Sequence, residues 1–191
     1  FKHTLELADV LGTTHIRMFS FFCPKHEAHL CREIVFDRLG KFCEAAKGSG
    51  ILLCHENEKG IYGDTADRCL DILQNFPDLK AVYDPANFVQ CGEDTLHAWE
   101  MLAPYLEYLH IKDVRSDGTV VPAGQGEGHL PELIARYEKM GGKALTLEPH
   151  LSVFKGLSEL ENGEKTKIGE FEYESQRAAF DAAAAALRSL L

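Results

Sequence analysis

The feature that most constrains this chain is an alternation. Five runs of strand length, rich in apolar residues, punctuate the sequence: Thr14–Ser20, Ile51–Asn57, Lys80–Asp84, a stretch within Tyr105–Asp113, and Lys143–His150. Helical spacing fills the segments between them. Glu33–Lys47 puts Ile34, Val35, Leu39, Phe42, Cys43 and Ala46 on one face and stops at Gly48-Ser49-Gly50. Asp64 and Thr65 can cap a helix running to about Phe76, with Ala66, Leu70 and Leu73 inward. Thr95–Ala103 and Leu130–Met140 repeat the pattern, the second ended by Gly141-Gly142. An Ala-rich helix from about Tyr173 to Leu191 follows a long loop, and a leading helix, Phe1–Leu11, ends at Gly12. The run Ile51–Asn57 is continuously apolar at its start, as a strand buried on both faces must be. Strands joined in turn by helices predict a parallel sheet with crossover helices outside it.

No glycine-rich phosphate loop follows any of these strands, which disfavours a nucleotide-binding sheet. A closed barrel needs eight βα units and typically about 250 residues. The chain has 191 residues and shows five units behind a helix. The expected fold is therefore α/β, a (β/α)8 TIM barrel N-terminally truncated to about five βα units, with three more strands required before Phe1. Residues 1–191 are expected to form a single domain, and a hydrophobic content of 45% supplies one core.

Charge narrows the partners. Lys and Arg number 20 against 30 Asp and Glu, a formal charge of -10. That balance repels nucleic acid and anionic membrane surfaces. No apolar run is long enough to span a bilayer, and the opening FKHTLELADV is amphipathic and charged rather than a signal peptide. Six cysteines without a CxxC pair read as reduced thiols of a cytoplasmic protein. A small-molecule substrate fits this balance, and a homo-oligomer is compatible with it.

Four chemically active residues mark four successive strand ends: Glu56, Asp84, His110 and Glu148. Alone, an acid there is ordinarily a helix cap, and a strand histidine a hydrogen-bonded core residue. In a barrel, however, the C-terminal ends of the strands converge. Three carboxylates and an imidazole brought together repel one another unless a divalent cation joins them. Mixed oxygen and nitrogen ligands suit Mn²⁺, Mg²⁺, Co²⁺ or Zn²⁺.

The segments Glu56-Asn57-Glu58, Tyr83–Asn87 (YDPAN), Leu109–Asp113 (LHIKD) and Thr146–His150 (TLEPH) resemble the sugar phosphate isomerase/epimerase family. That family has the xylose isomerase-like barrel and includes ketose 3-epimerases and inosose dehydratases. The resemblance covers nearly the whole chain. It implies that Glu56, Asp84, His110 and Glu148 bind one divalent metal, most often Mn²⁺. It also implies that Glu56 and Glu148 are catalytic, flanking a sugar and exchanging a proton at a carbon beside its carbonyl. Such a hydrogen becomes acidic when the carbonyl oxygen is polarised and the enediolate held by the metal. One carboxylate can then remove it and the other return it from the opposite face.

Other groups are substrate-binding candidates: Arg17 in the first strand, for which an ion pair with a nearby acid is the equal alternative; Lys112 beside His110; and Glu58 and His150, each two residues past a ligand and otherwise plain loop residues. Asp113 is a further candidate, as substrate or supporting group. Asn87 stands where many resembling ketose epimerases have a substrate-binding histidine in D-x-x-H, a departure that bears on the substrate. The glycine stretch Ala123–Gly128 is either a plain turn or a lid segment. His3, His15, His26, His29, His97 and His129 have no spacing of a metal cluster. The leading function is a metal-dependent sugar or sugar-phosphate isomerase/epimerase of carbohydrate metabolism. An inosose-type dehydratase is the nearest alternative, since the same enediolate could expel a β-hydroxyl. A DNA-repair endonuclease would need more strand-end histidines and a basic groove. A non-catalytic sugar-binding barrel would not require all four ligands.

Overall fold

The alternation read from the sequence is realised strand by strand. The structure is a computed structural model and describes residues 1–24, 26–153, 167–168, 171 and 173–191. In chain order the elements are α1 (Lys2–Leu11), β1 (His15–Met18), α2 (Ala28–Ala46), β2 (Leu52–Glu56), α3 (Ala66–Asn75), β3 (Leu79–Tyr83), α4 (Pro85–Cys91) and α5 (Thr95–Leu102). They continue with a 3-10 turn (Ala103–Tyr105), β4 (Leu106–Ile111), β5 (Asp113–Val114), β6 (Val120–Val121), α6 (Leu130–Lys139), β7 (Leu145–Leu147) and α7 (Gln176–Arg188). The five main strands make one parallel sheet in the order β1-β2-β3-β4-β7, as expected from the alternation. A two-stranded antiparallel hairpin, β5-β6, stands beside it. None of the described helices is long and apolar enough to cross a membrane.

By contact density the chain falls into two compact units, Phe1–Tyr83 with Glu100–Glu107, and Asp84–Trp99 with Tyr108–Leu191. In the first, β1 pairs with β2 so that Arg17 lies opposite Cys54, and β2 pairs with β3 so that Glu56 lies opposite Val82. Its core is aliphatic, with Val35 and Leu39 of α2, Ile72 and Leu73 of α3, and Leu53 and Leu79 of the sheet all buried. Truncating one of the larger of these to Ala costs about 2–5 kcal/mol. The ends of its helices follow sequence signals. Gly12, at φ +66°, closes α1 in the left-handed conformation a glycine adopts without strain. Thr65 caps α3 by accepting the Arg68 N–H. Arg32 of α2 and Asp71 of α3 form a two-pronged ion pair, both contacts at 2.7 Å, and the Tyr62 hydroxyl donates to the same carboxylate.

In the second unit β4 pairs with β7, His110 lying opposite Thr146. Helix α6 buries Leu130, Leu133, Ile134 and Tyr137, an i, i+3, i+4, i+7 stripe. The hairpin and the final helix share a core of small groups: Val114, Val120, Ala179 and Ala183, with Ala86 and Leu151. The alanines explain the composition of α7, because short side chains let a helix sit close to what it covers.

Several boundaries differ from the sequence reading. Helix α2 starts at Ala28 rather than Glu33; its N-cap, Glu27, makes no side-chain cap bond, so nothing local announces the start. Helix α4 and the β5-β6 hairpin were not anticipated. The last strand ends at Leu147 rather than His150, because Pro149 has no N–H to extend the ladder and His150 is turned to φ +45°. The long loop expected after that strand lies mostly outside the described residues.

Candidate metal centre

Each candidate is delivered by a strand end. In the first unit, Glu56 is the last residue of β2 and is 1% exposed. It lies two residues beyond Cys54, the register partner of Arg17, so the two long side chains meet diagonally on one face. Arg17 Nη1 donates to Glu56 Oε2 at 2.9 Å, and the guanidinium stacks over the Phe19 ring with its carbon 4.6 Å from the centroid. A buried carboxylate thereby has a guanidinium as its counter-charge. Glu58 lies past the strand end, where its Oε1 accepts the Lys59 N–H at 2.8 Å.

In the second unit, Asp84 follows β3 and caps α4: Oδ1 accepts the Asn87 N–H at 3.0 Å. Its other oxygen, Oδ2, lies 2.9 Å from Lys112 Nζ. The carboxylate is fully buried. Asp84 is thus a helix cap through one oxygen and the ion-pair partner of Lys112 through the other. His110, near the end of β4 and 4% exposed, brings Nδ1 to 2.7 Å from Glu148 Oε2. Glu148 follows β7, its N–H held by the Ile111 carbonyl at 3.1 Å. Its Oε1 lies 3.2 Å from His150 Nε2. Burial pushes the Glu148 carboxyl up, but His110, His150 and the charge of Lys112 outweigh that and hold it well below the usual carboxylate range.

Asp84, His110 and Glu148 each offer one ligand atom, and these atoms lie within 4.8 Å of one another. Glu148 Oε2 is buried and faces His110 at close range without hydrogen-bonding geometry. That arrangement suits two donors turned toward a common cation better than a donor and an acceptor turned toward each other. The donor set, carboxylate oxygen and imidazole nitrogen, fits a divalent ion of the Mn²⁺ to Zn²⁺ group.

Asn87 and Lys112, both read as substrate groups, are buried and turned toward each other, Lys112 Nζ donating to Asn87 Oδ1 at 2.8 Å. Asp113 has a part that the sequence showed only faintly. Its carboxylate, 1% exposed, accepts N–H bonds from Val114, Gly124, Gly126 and Gly128. Burial raises its pKa, and these N–H groups oppose the rise. A Cβ on Gly126 would come 2.3 Å from Asp113 Oδ1, so the loop closes only with glycine there. The signal was the alternate glycines at 124, 126 and 128 downstream of Lys112-Asp113.

Solved structures share this architecture at low identity. The chain matches the probable 3-DHS dehydratase AsbF from Bacillus anthracis at 17% identity and TM-score 0.73, covering 99% of this chain and 67% of that one. It matches D-psicose 3-epimerase with D-tagatose, from Clostridium cellulolyticum H10, at 17% identity and TM-score 0.73, with 99% and 67% covered. The IOLI protein with a binding zinc atom matches at 14% identity and TM-score 0.74, with 99% and 66% covered. The chain therefore spans about two thirds of the length of these neighbours. No curated protein matches its sequence. At the family level the match is broad: residues 1–169 fit the xylose isomerase-like TIM barrel, and with the parallel sheet in chain order this places the chain in that family.

Proposed function

We propose that this protein is a metal-dependent isomerase or epimerase of a sugar or sugar phosphate, with Glu56, Asp84, His110 and Glu148 holding one divalent ion, Mn²⁺ before the alternatives. The observation that carries the reading is the approach of Asp84, His110 and Glu148 ligand atoms to within 4.8 Å, with Glu148 Oε2 buried against His110. Family membership and epimerase neighbours support it. The same reading makes residues 1–191 one domain.

Bound there, the ion would supply Lewis-acid polarisation of the substrate's carbonyl. The chain's own residues do the rest. Glu56, beside Arg17, and Glu148, beside His110, His150 and Lys112, are the two carboxylates of the proton exchange. One removes the hydrogen on the carbon beside the carbonyl, and the other returns a proton to the opposite face. Arg17, Glu58, Asn87, Lys112 and His150 are the substrate-side groups of this proposal. Of these, Arg17 keeps 38% of its side chain exposed, whereas Asn87 and Lys112 are buried.

The test is metal analysis of the intact protein, then incubation with a panel of ketoses and ketose phosphates in D₂O. Deuterium uptake at the carbon beside the carbonyl, with an inverted product, is the expected result. Uptake followed by loss of a β-hydroxyl would instead assign a dehydratase, the activity that the AsbF neighbour's name carries. A metal-saturated protein that exchanges no hydrogen on any of the panel would end the proposal.

A further inference from the structure

Lys112 is an ammonium with only 5% of its surface exposed, directly after β4. Two neighbours account for its position: Asp84 Oδ2 at 2.9 Å and Asn87 Oδ1 at 2.8 Å. Asn87, 1% exposed, returns its backbone N–H to Asp84 Oδ1. The three residues close a ring of two side-chain contacts and one backbone N–H. Desolvating either charge alone is strongly unfavourable, so neither the ammonium nor the fully buried carboxylate would be tolerated as an ion without the other. Asn87 supplies the carbonyl oxygen that aims the ammonium and has no net charge with which to compete for it.

We infer that Lys112 is the standing counter-charge of Asp84, a positioning residue aimed by Asn87, which holds that buried carboxylate in place before any metal arrives. The inference rests on the metal reading proposed above. It gives Asn87 and Lys112 work in addition to any contact with substrate. It also has a cost: an ammonium and a divalent ion beside one carboxylate repel each other. Lys112 therefore caps the metal affinity and keeps the ion exchangeable. Remove it, and the fold leans on the metal for the neutralisation that the lysine had provided.

The test compares the intact wild-type protein with Lys112→Met and Asn87→Ala. Melting temperature is measured in EDTA and in saturating Mn²⁺, and Mn²⁺ affinity by calorimetry. In EDTA, Lys112→Met should melt about 10 °C lower than wild type, as for a broken buried ion pair in a chain of this size. Mn²⁺ should restore most of that loss, so its stabilising shift exceeds the wild-type shift, and affinity should tighten about tenfold or more. Asn87→Ala leaves the charge but loosens its aim, and should move both readouts the same way by less. It carries the test if Lys112→Met does not fold without metal. Mn²⁺ shifts equal to wild type in both variants would overturn the inference. So would a Lys112→Met protein that keeps its metal-free stability, which would leave the lysine no part in holding Asp84. A wild-type protein that gains no stability from Mn²⁺ and binds none would refute the metal reading itself, a result distinguishable from either of these.

Discussion

His110 Nδ1 and Glu148 Oε2 face each other at 2.7 Å, carried on the paired strands β4 and β7 region by region: one from within its strand, the other from the residue after it. The pairing register sets that approach, since His110 lies opposite Thr146, two residues before Glu148. A side chain at the strand end and its neighbour two residues away share a face, so the register alone brings acid and imidazole together.

Glu148→Gln is expected to preserve the fold and abolish most turnover in the intact enzyme. The amide keeps the size and one oxygen donor but accepts no proton at neutral pH. Loss of a general base is typically a factor of about 10²–10⁴. The assay uses excess Mn²⁺, because a neutral ligand binds more weakly. Hydrogen exchange at the carbon beside the carbonyl should persist through Glu56 without inverted product. Full epimerisation by the variant would show that Glu148 is only structural.

Arg17→Met should leave the Glu56 carboxylate buried without its guanidinium. Because Arg17 is 38% exposed, solvent screens part of the loss, and the expected destabilisation is about 1–2 kcal/mol. Denaturant unfolding measures it. The double variant Arg17→Met/Glu56→Gln should recover much of the loss, since the buried charge is gone; if it recovers nothing, the ion pair was not the source.

Gly126→Ala drives a methyl group into Asp113 and should open the loop from Gly124 to Gly128 at about 1–3 kcal/mol. Amide hydrogen exchange at Gly124, Gly126 and Gly128 should accelerate while α6 stays protected. Unchanged protection at those three amides would mean that the carboxylate does not hold the loop.

The Arg32 ion pair lowers the Asp71 pKa, and burial only partly opposes this. The sign follows: a carboxyl depressed in the folded state contributes stability above its unfolded pKa, near 3.8, and loses it as pH falls through the lower folded value. Asp71→Asn should therefore lower the melting temperature at pH 7 and flatten its fall below pH about 4. Parallel curves for variant and wild type through that window would remove Asp71 from the acid response.

What could be read from the sequence follows what each signal depends on. Strand-end residues were legible because the alternation fixes where strands stop, and Glu56, Asp84, His110 and Glu148 each stand at or just beside such a stop. The helix α4 was hidden by its own start: Asp84-Pro85 is a good cap-and-first-turn pair, yet the aspartate had already been read as a ligand. Its Oδ1 makes the cap, and its Oδ2 faces Lys112. An ion pair was one of the two roles open to Arg17, but its partner Glu56, like the partnership of Asn87 with Lys112, was out of reach, since pairings across 39 and 25 residues follow from register and not from local spacing. Asp113 was named without its role, because its partners are backbone N–H groups, which no residue type advertises.

The β5-β6 hairpin and the loop after it have opposite histories open to them. The hairpin's tip, Arg115–Asp117, is exposed, and the loop that follows it, Gly124–Gly128, is gripped by one carboxylate through three N–H groups spaced two residues apart. An inserted residue at the tip disturbs the contacts of Ser116 with Glu127 and of Asp117 with Lys167 but leaves the N–H groups on Asp113 in step. An inserted residue in the loop puts every later N–H out of step with Asp113. Length variation in descendants of this chain should therefore collect at the tip, which makes it the place to graft a peptide tag or a reporter.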